Sequence, residues 1–227
     1  MSLLGRPAAA QTADELYADR ANLASASKAA DLLEAEVQMH PTSFDPAWKR
    51  ARIAYYLGGH AVAGERRMHL ERGVVAAQAA AKLEPGRPEG HFWAAANMGA
   101  LAENFGLRAG LKYRKPIREA LETVLRLDPA FMQGSADRAL GRYYARVPAL
   151  FGGSRTKAEQ HLRASLRYNE HSTISRFFLA ELLIDQKRMA EARAELQHVL
   201  DAPLSAEWGP EDRDYKTKAA ALLRTLD

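Results

Sequence analysis

The sequence contains no cysteine and no long apolar run, and its charges are nearly balanced. Without cysteine, the 227 residues can form no disulfide and support no thiol catalysis. No apolar stretch approaches the roughly 20 residues that a transmembrane helix needs. The net charge of +4 comes from 32 basic and 28 acidic residues, an excess too small to indicate nucleic-acid binding. We therefore expect no nucleic-acid partner. An apolar content of 47% is enough for the chain to bury a core.

Patterns of catalytic and metal-binding residues are missing too. The seven histidines include pairs nine and ten residues apart, His60 with His69 and His161 with His171, but no His-Glu-x-x-His pair. No nucleophile can be matched with a base and an orienting group. We predict that the protein is not an enzyme and needs neither a metal nor a cofactor.

What the sequence does contain is a repeat. Pro41, Pro85 and Pro129 lie 44 residues apart, and each separates two apolar helical stretches. Proline disfavours a helical conformation in the residue before it, so each should end a helix. A fixed period of this length indicates stacked helix pairs, in which each pair buries its apolar face against its neighbours and the stack leaves a curved surface.

The residues between these prolines resemble the tetratricopeptide repeat. Trp, small residues, Leu and Tyr recur at the steps of that repeat, in Trp48, Ala51 and Tyr55, in Trp93 and Ala96, in Leu140, Gly141 and Tyr144, and in Leu179, Ala180 and Leu183. The predicted fold is an all-α, tetratricopeptide-like right-handed α-solenoid of about five helix pairs, with elongated connections between helix A and helix B and a C-terminal capping helix. We expect residues 12–227 to form one such domain, and residues 1–11 to be a flexible tail or the remnant of an export signal.

The repeats depart from the family at several places. Residues 58–73 and 101–116 are surplus to the ~34-residue unit and should form loops or helix extensions. Gly106 and Gly110 are predicted to weaken any continuous helix there. Residues 12–15 and 156–159 both have the pattern of a capping box, and each predicts the start of a helix. Residues 147–154 are predicted to be a loop.

A narrower resemblance covers about residues 85–170. The segments 91–93, 102–104, 115–121, 140–148 and 151–154 resemble the T-component family of periplasmic TRAP-type transporters, and the same stretch is similar to the regulator of microtubule dynamics family. The first resemblance implies an envelope-associated helical protein that oligomerises, partners a periplasmic substrate-binding protein and has a cleft for an apolar ligand. The lipid-bearing cysteine common in that family is absent from this sequence.

Three arginines form the principal candidate site. Arg138, Arg142 and Arg146 share one face of a helix, the face that lines the concave groove of a tetratricopeptide stack. Three guanidinium groups there would suit a carboxylate or a phosphate. Alternatively, acidic residues such as Glu103, Glu181 or Asp185 pair with them internally. Five further residues are predicted to line or approach the same surface: Lys49, Tyr56, His91, Asn97 and Met98.

Two other features suggest contacts. Residues 108–118 contain five cations and no acid, which would attract an anionic membrane surface or an acidic protein. An apolar channel is the alternative to a binding groove, and it would use Phe92, Met98, Phe105, Leu107 and Phe151. Our leading hypothesis is a non-enzymatic, envelope- or transport-associated scaffold that binds a partner protein or an acidic ligand on its concave surface. The alternative is a carrier of an apolar small ligand. We expect a periplasmic or secreted protein, with a cytoplasmic one as the alternative, and both a homo-oligomer and peripheral membrane association are compatible with the sequence.

Overall fold

The computed structural model describes residues 11–226, which form α-helices, one 3₁₀ turn and no β-strand. The predicted tail therefore lies almost entirely outside the described residues. The elements in chain order are α1 (Ala13–Ala18), α2 (Leu23–Met39), α3 (Phe44–His60), α4 (Ala63–Leu83), α5 (Pro88–Asn104), α6 (Gly106–Leu127), α7 (Phe131–Arg146), a 3₁₀ turn (Ala149–Phe151), α8 (Arg155–Leu166), α9 (Thr173–Asp185), α10 (Met189–Asp201) and α11 (Gly209–Arg224).

These helices confirm the predicted solenoid. Consecutive helices pack as five pairs, α1 with α2 through α9 with α10, and α11 closes the stack as the capping helix. From α3 onward the first helix of each pair also touches the first helix of the next, and α9 touches α11. We call these helices, α3, α5, α7, α9 and α11, the inner helices, because each contacts the next along the stack.

The tetratricopeptide positions lie at the seams between helices. Trp93 is 3% exposed in the central core, and Trp48 packs against the same core. A side chain at Gly141 would meet Leu162 Cγ at 2.5 Å and Ala158 O at 3.2 Å, so α7 and α8 can approach only because this position lacks a side chain. The aromatic and small residues thus have the packing roles that the repeat pattern predicted.

The surplus residues extend helices instead of forming loops. Only residues 61–62 separate α3 from α4, and only Phe105 separates α5 from α6. The expected weakening is seen at Gly106, where one helix ends and the next begins, and was wrong at Gly110, which lies inside α6. Gly106 has φ +84° and makes the sharp reversal between the two helices, while a Cβ added at Gly110 would lie 3.8 Å from Ala102 O, in ordinary contact. At Gly110, packing between α5 and α6 outweighs the low helix propensity of glycine.

One capping prediction is confirmed and the other is corrected. Thr12 Oγ1 accepts a hydrogen bond from Glu15 N at 3.2 Å, and Glu15 Oε2 accepts one from Thr12 N at 2.8 Å. At α8, however, the cap is Ser154, whose side chain accepts from Lys157 N at 3.3 Å. The amide of Ser154 donates to Tyr144 O at 3.0 Å, which fixes the chain and starts the helix ahead of Thr156.

The two ends of the stack touch each other. Arg20, between α1 and α2, is 2% exposed and donates from Nε and Nη2 to the two carboxylate oxygens of Glu211 on α11, at 2.8 and 2.5 Å. Nη2 also donates to Glu207 O at 2.7 Å. His60 Nε2 on α3 lies 2.8 Å from Asp214 Oδ2, a second contact to α11. These contacts hold α11 against the first helices of the stack.

His69 on α4 makes folding sensitive to acid. Its Nδ1 is buried without a hydrogen-bond partner in residues 11–226, and burial together with Arg50 lowers its pKa. Below the unfolded value of about 6.5, the unfolded chain binds a proton that the folded chain does not, so stability falls as the pH falls. We expect urea midpoints to drop between about pH 7.5 and pH 5.5. The drop should be smaller in His69→Gln, and equal drops in both proteins would contradict the prediction.

Candidate ligand-binding groove

The inner helices bring six side chains together that are far apart in the sequence: Tyr55 (α3), Glu103 (α5), Arg138 and Arg142 (α7), Glu181 (α9) and Tyr215 (α11). Burial raises the pKa of Tyr55, and the charges of Glu103, Arg138 and Arg142 act on the same hydroxyl. Yet Tyr55 remains 42% exposed. A side chain that is both surrounded by protein and accessible lies in a depression, which we call the groove.

Arg142 is neutralised within the protein. Its Nε and Nη2 donate to the two oxygens of Glu103 at 2.9 and 3.2 Å, its Nη1 donates to Glu181, and its guanidinium lies 4.4 Å from the centre of the Phe178 ring. Burial acts to lower the pKa of Arg142, but the two carboxylates outweigh it and the pKa is raised. Arg142 joins α5, α7 and α9 and has few donors left for a ligand.

Arg146 belongs to the same network. Its Nη2 donates to the second oxygen of Glu181 at 3.0 Å, and its side chain is 46% exposed. Two arginines and two glutamates therefore balance each other. For these two positions the alternative prediction, an internally paired arginine face, describes the structure.

Arg138 differs from both, because it makes no hydrogen bond or ion pair with any residue in the range 11–226. Burial lowers its pKa, and the nearby Tyr215 and Tyr55 hydroxyls oppose this only in part. An arginine stays protonated even so. A partly buried cation without a counter-ion is costly and attracts an anion. The groove thus has one unpaired positive charge between two tyrosines, whose hydroxyls also lack a hydrogen-bond partner in the described chain.

A cavity of about 190 Å³ opens beside Arg138. Its wall comes from the start of α7, the α8–α9 loop and the α10–α11 loop, and includes Gln133, Asn169, His171, Thr173 and Trp208. The carboxylate of Asp212, also in the wall, is occupied, because it accepts from Thr173 Oγ1 at 2.6 Å and from Ser205 N at 2.8 Å.

The backbone is strained at the rim of this cavity. Met132 and Gln133 have φ of 45° and 58°, and Gly134 follows with φ of 73°. Left-handed conformations in non-glycine residues cost on the order of 1–3 kcal/mol each. Asn169 Nδ2 donates to Gln133 Oε1 at 2.6 Å and fixes this segment to the α8–α9 loop. This strained turn precedes the regular part of α7 and sets the direction of that helix, and with it the position of Arg138.

The sequence profile of the TRAP transporter T-component family matches residues 75–224. The chain belongs to the TRAP transporter T-component family. Among solved structures it is similar to a thermophilic TPR protein of Thermus thermophilus, with a TM-score of 0.68 and 22% identity over 92% of this chain and 95% of that chain. This likeness shows the fold alone. No match was found among curated proteins.

The other residues predicted for the groove of this T-component family member lie elsewhere. Asn97 is fully buried and donates to Ala51 O at 3.1 Å and Trp93 O at 2.8 Å, so it joins α5 to α3. Met98 is 3% exposed in the core. Both residues belong to the core and are not accessible to a ligand. Tyr56 is also buried, 6% exposed, and stacks on His60 with ring centres 4.0 Å apart.

The two remaining predicted residues have partners of their own. Lys49 Nζ lies 2.5 Å from Asp14 Oδ2, and His91 Nε2 lies 3.0 Å from Pro85 O. Sequence reasoning missed Tyr55 and Tyr215 as groove residues, because it assigned them to the repeat pattern and to the apolar face of the last helix. Both tyrosines lie on inner helices, and this position is the signal by which they could have been predicted as groove residues.

The apolar channel considered as an alternative does not form from its predicted residues. Phe92 is buried with Met98 in the core, whereas Leu107 is 74% exposed and Phe151 is 39% exposed at the 3₁₀ turn. Residues 11–226 also hold no group of three or more His, Asp or Glu side chains placed to bind a metal ion. None of the helices in that range combines the length and hydropathy that a bilayer-spanning segment requires.

Proposed function

We propose that the protein is a non-enzymatic scaffold of a TRAP-type transport system, which works in the periplasm or at the envelope and holds an acidic group of its partner in the groove. The observation that carries this proposal is the unpaired Arg138 between Tyr55 and Tyr215. Family membership supports a transport-associated interaction protein. The partner we favour is the substrate-binding protein of the same transport system.

The charge balance of the groove identifies the chemistry. Since Glu103 and Glu181 balance Arg142 and Arg146, the net charge offered to a guest is that of Arg138 alone. A guanidinium binds a carboxylate through two parallel hydrogen bonds, and two tyrosine hydroxyls can add to them. Shielding from water strengthens such bonds. One acidic side chain of a partner satisfies this arrangement.

The size of the cavity beside Arg138 argues against an extended small ligand at this place. At about 190 Å³ it is smaller than the roughly 300–1,000 Å³ of typical ligand pockets. A carboxylate with a short stem fits such a space, and an extended apolar ligand does not.

Replacing Arg138 tests the proposal. We expect Arg138→Gln to weaken capture of the substrate-binding protein by roughly 10- to 100-fold, because a charge-assisted hydrogen bond contributes about 1.5–3 kcal/mol. Calorimetric titration of the two purified proteins measures the change. Arg155→Gln is the matched control, since Arg155 is an exposed arginine at the start of α8. Equal affinities of the Arg138 variant and the unsubstituted protein would overturn the groove assignment.

The same position should show a trade-off between stability and binding. Arg138→Met removes a partly buried, unpaired charge and keeps a long apolar stem, so we expect the unliganded protein to gain on the order of 1 kcal/mol in its free energy of unfolding. Urea denaturation measures this gain. An arginine with a purely structural role would give the opposite result, a loss of stability.

A further inference from the structure

The edge of the molecule formed by the N-terminal half of α6 and the 3₁₀ turn combines exposed leucines with basic residues. Leu107 and Leu111 on α6 are 74% and 48% exposed, and Leu150 at the turn is 89% exposed, the highest value among the large apolar residues described. Single exposed leucines are ordinary, but several on one edge indicate an interaction surface. We call this edge the basic tip.

The two segments of the basic tip are joined by Arg114. Its Nη1 donates to Phe151 O at 3.0 Å, and its guanidinium lies 5.2 Å from the centre of the Phe151 ring. Leu107 and Leu111 lie seven and three residues before Arg114, so they share its side of α6. The leucines of the helix and the apolar residues of the turn thus belong to one continuous surface.

Charge on the basic tip has one sign. Between Glu103 and Glu119 the chain contains five cations, Arg108, Lys112, Arg114, Lys115 and Arg118, and no acid. Around the turn no acid occurs between Asp137 and Glu159. Only Lys115 and Arg118 form ion pairs, both at 3.6 Å with exposed glutamates, and such pairs are weak. Arg108 and Lys112 have no acidic partner in the described residues.

This sign of charge argues against self-association through the basic tip. A symmetric contact between two copies would place each set of five cations against the other, and like charges across an interface are strongly unfavourable. The placement of the exposed leucines on two separate segments argues against a preformed pocket on a protein. A deformable anionic surface accepts such side chains in any arrangement, whereas a protein pocket must be shaped for them.

We propose that the basic tip docks the protein on an anionic phospholipid surface, with the lysines and arginines at the headgroups and Leu107, Leu111 and Leu150 inserted shallowly below them. Basic residues flanking exposed apolar residues are the pattern of interfacial helices. The surface lies on the A–B edge of the stack and shares no residue with the groove. Its test is therefore independent of the proposed function.

Flotation of the full chain with vesicles tests the proposal. We expect binding to phosphatidylcholine vesicles that contain phosphatidylglycerol and none to pure phosphatidylcholine, with binding lost as salt rises. Lys112→Glu should weaken binding roughly tenfold or more, because it reverses one charge at the surface. Lys28→Glu makes the same change on an exposed lysine of α2 and should have little effect. Equal binding to both vesicle types, or equal effects of both substitutions, would overturn the proposal.

The absence of cysteine permits a direct measurement of insertion. A polarity-sensitive dye on Leu150→Cys should shift to the blue with phosphatidylglycerol vesicles. The same dye on Val75→Cys, at a residue of α4 that is 68% exposed, should not. An unshifted dye at position 150 would exclude insertion.

A different outcome would replace the membrane with a protein partner. If the protein binds neither type of vesicle, but Lys112→Glu abolishes capture of an acidic partner protein, the basic tip is a protein-docking surface and the membrane proposal is wrong.

Discussion

Arg20→Ala is expected to lower the free energy of unfolding by about 3 kcal/mol and to separate the two ends of the solenoid. The guanidinium donates to both oxygens of Glu211, to Glu207 O and to Tyr17 O, and it lies 4.5 Å from the centre of the Tyr17 ring. Removing one member of a buried ion pair costs about 3–5 kcal/mol. We expect the lower end, because the Glu211 side chain remains 18% exposed and can be partly hydrated.

Urea denaturation measures the loss of stability, and small-angle scattering detects the opening as an increase in radius of gyration. Arg67→Ala is the control, since Arg67 pairs with Glu71 across two largely exposed side chains, and such an exposed pair contributes little to stability. A loss in Arg20→Ala no larger than in Arg67→Ala would show that the ends are held by other contacts.

Closure of the stack also bears on the groove. Glu211 and Tyr215 lie one turn apart on α11, so the contact with Arg20 holds the helix that places Tyr215 near Arg138. We therefore expect Arg20→Ala to weaken capture of the partner as well, although Arg20 itself does not line the groove. Binding and stability should fall together in this variant, whereas they move in opposite directions in Arg138→Met.

The fold could be predicted because its determinants are local. Pro85 and Pro129 end helices through their own ring geometry, and Trp93 and Gly141 pack at seams between adjacent helices of a stack in which each pair touches the next. The start of α8 escaped prediction for the opposite reason. Its cap depends on Ser154 N reaching Tyr144 O, a contact across a loop that a capping-box pattern does not contain.

The site could be predicted only in part. The spacing of Arg138, Arg142 and Arg146 places them on one face of α7 wherever that helix packs. Which of the three arginines remains without a carboxylate partner depends on Glu103 and Glu181, which lie on two other helices. The positions of these two glutamates depend on the rotations between successive helix pairs, which add up along the whole stack. No local sequence pattern predicts that sum.

Gly90→Ala and Gly99→Ala, two identical changes in α5, are expected to shift stability in opposite directions. A methyl at Gly90 would lie 2.5 Å from Ala81 N and 2.8 Å from Ala81 Cα, backbone atoms of α4 that cannot move without shifting the helix. We expect a loss of about 3 kcal/mol, at the upper end of overpacking costs. A methyl at Gly99 meets nothing within 4 Å, so alanine should add about 0.5–1 kcal/mol through its higher helix propensity. Thermal or urea unfolding of both variants measures the difference. Equal shifts would contradict the close approach of α4 and α5, on which the stacking of the third pair against the second depends.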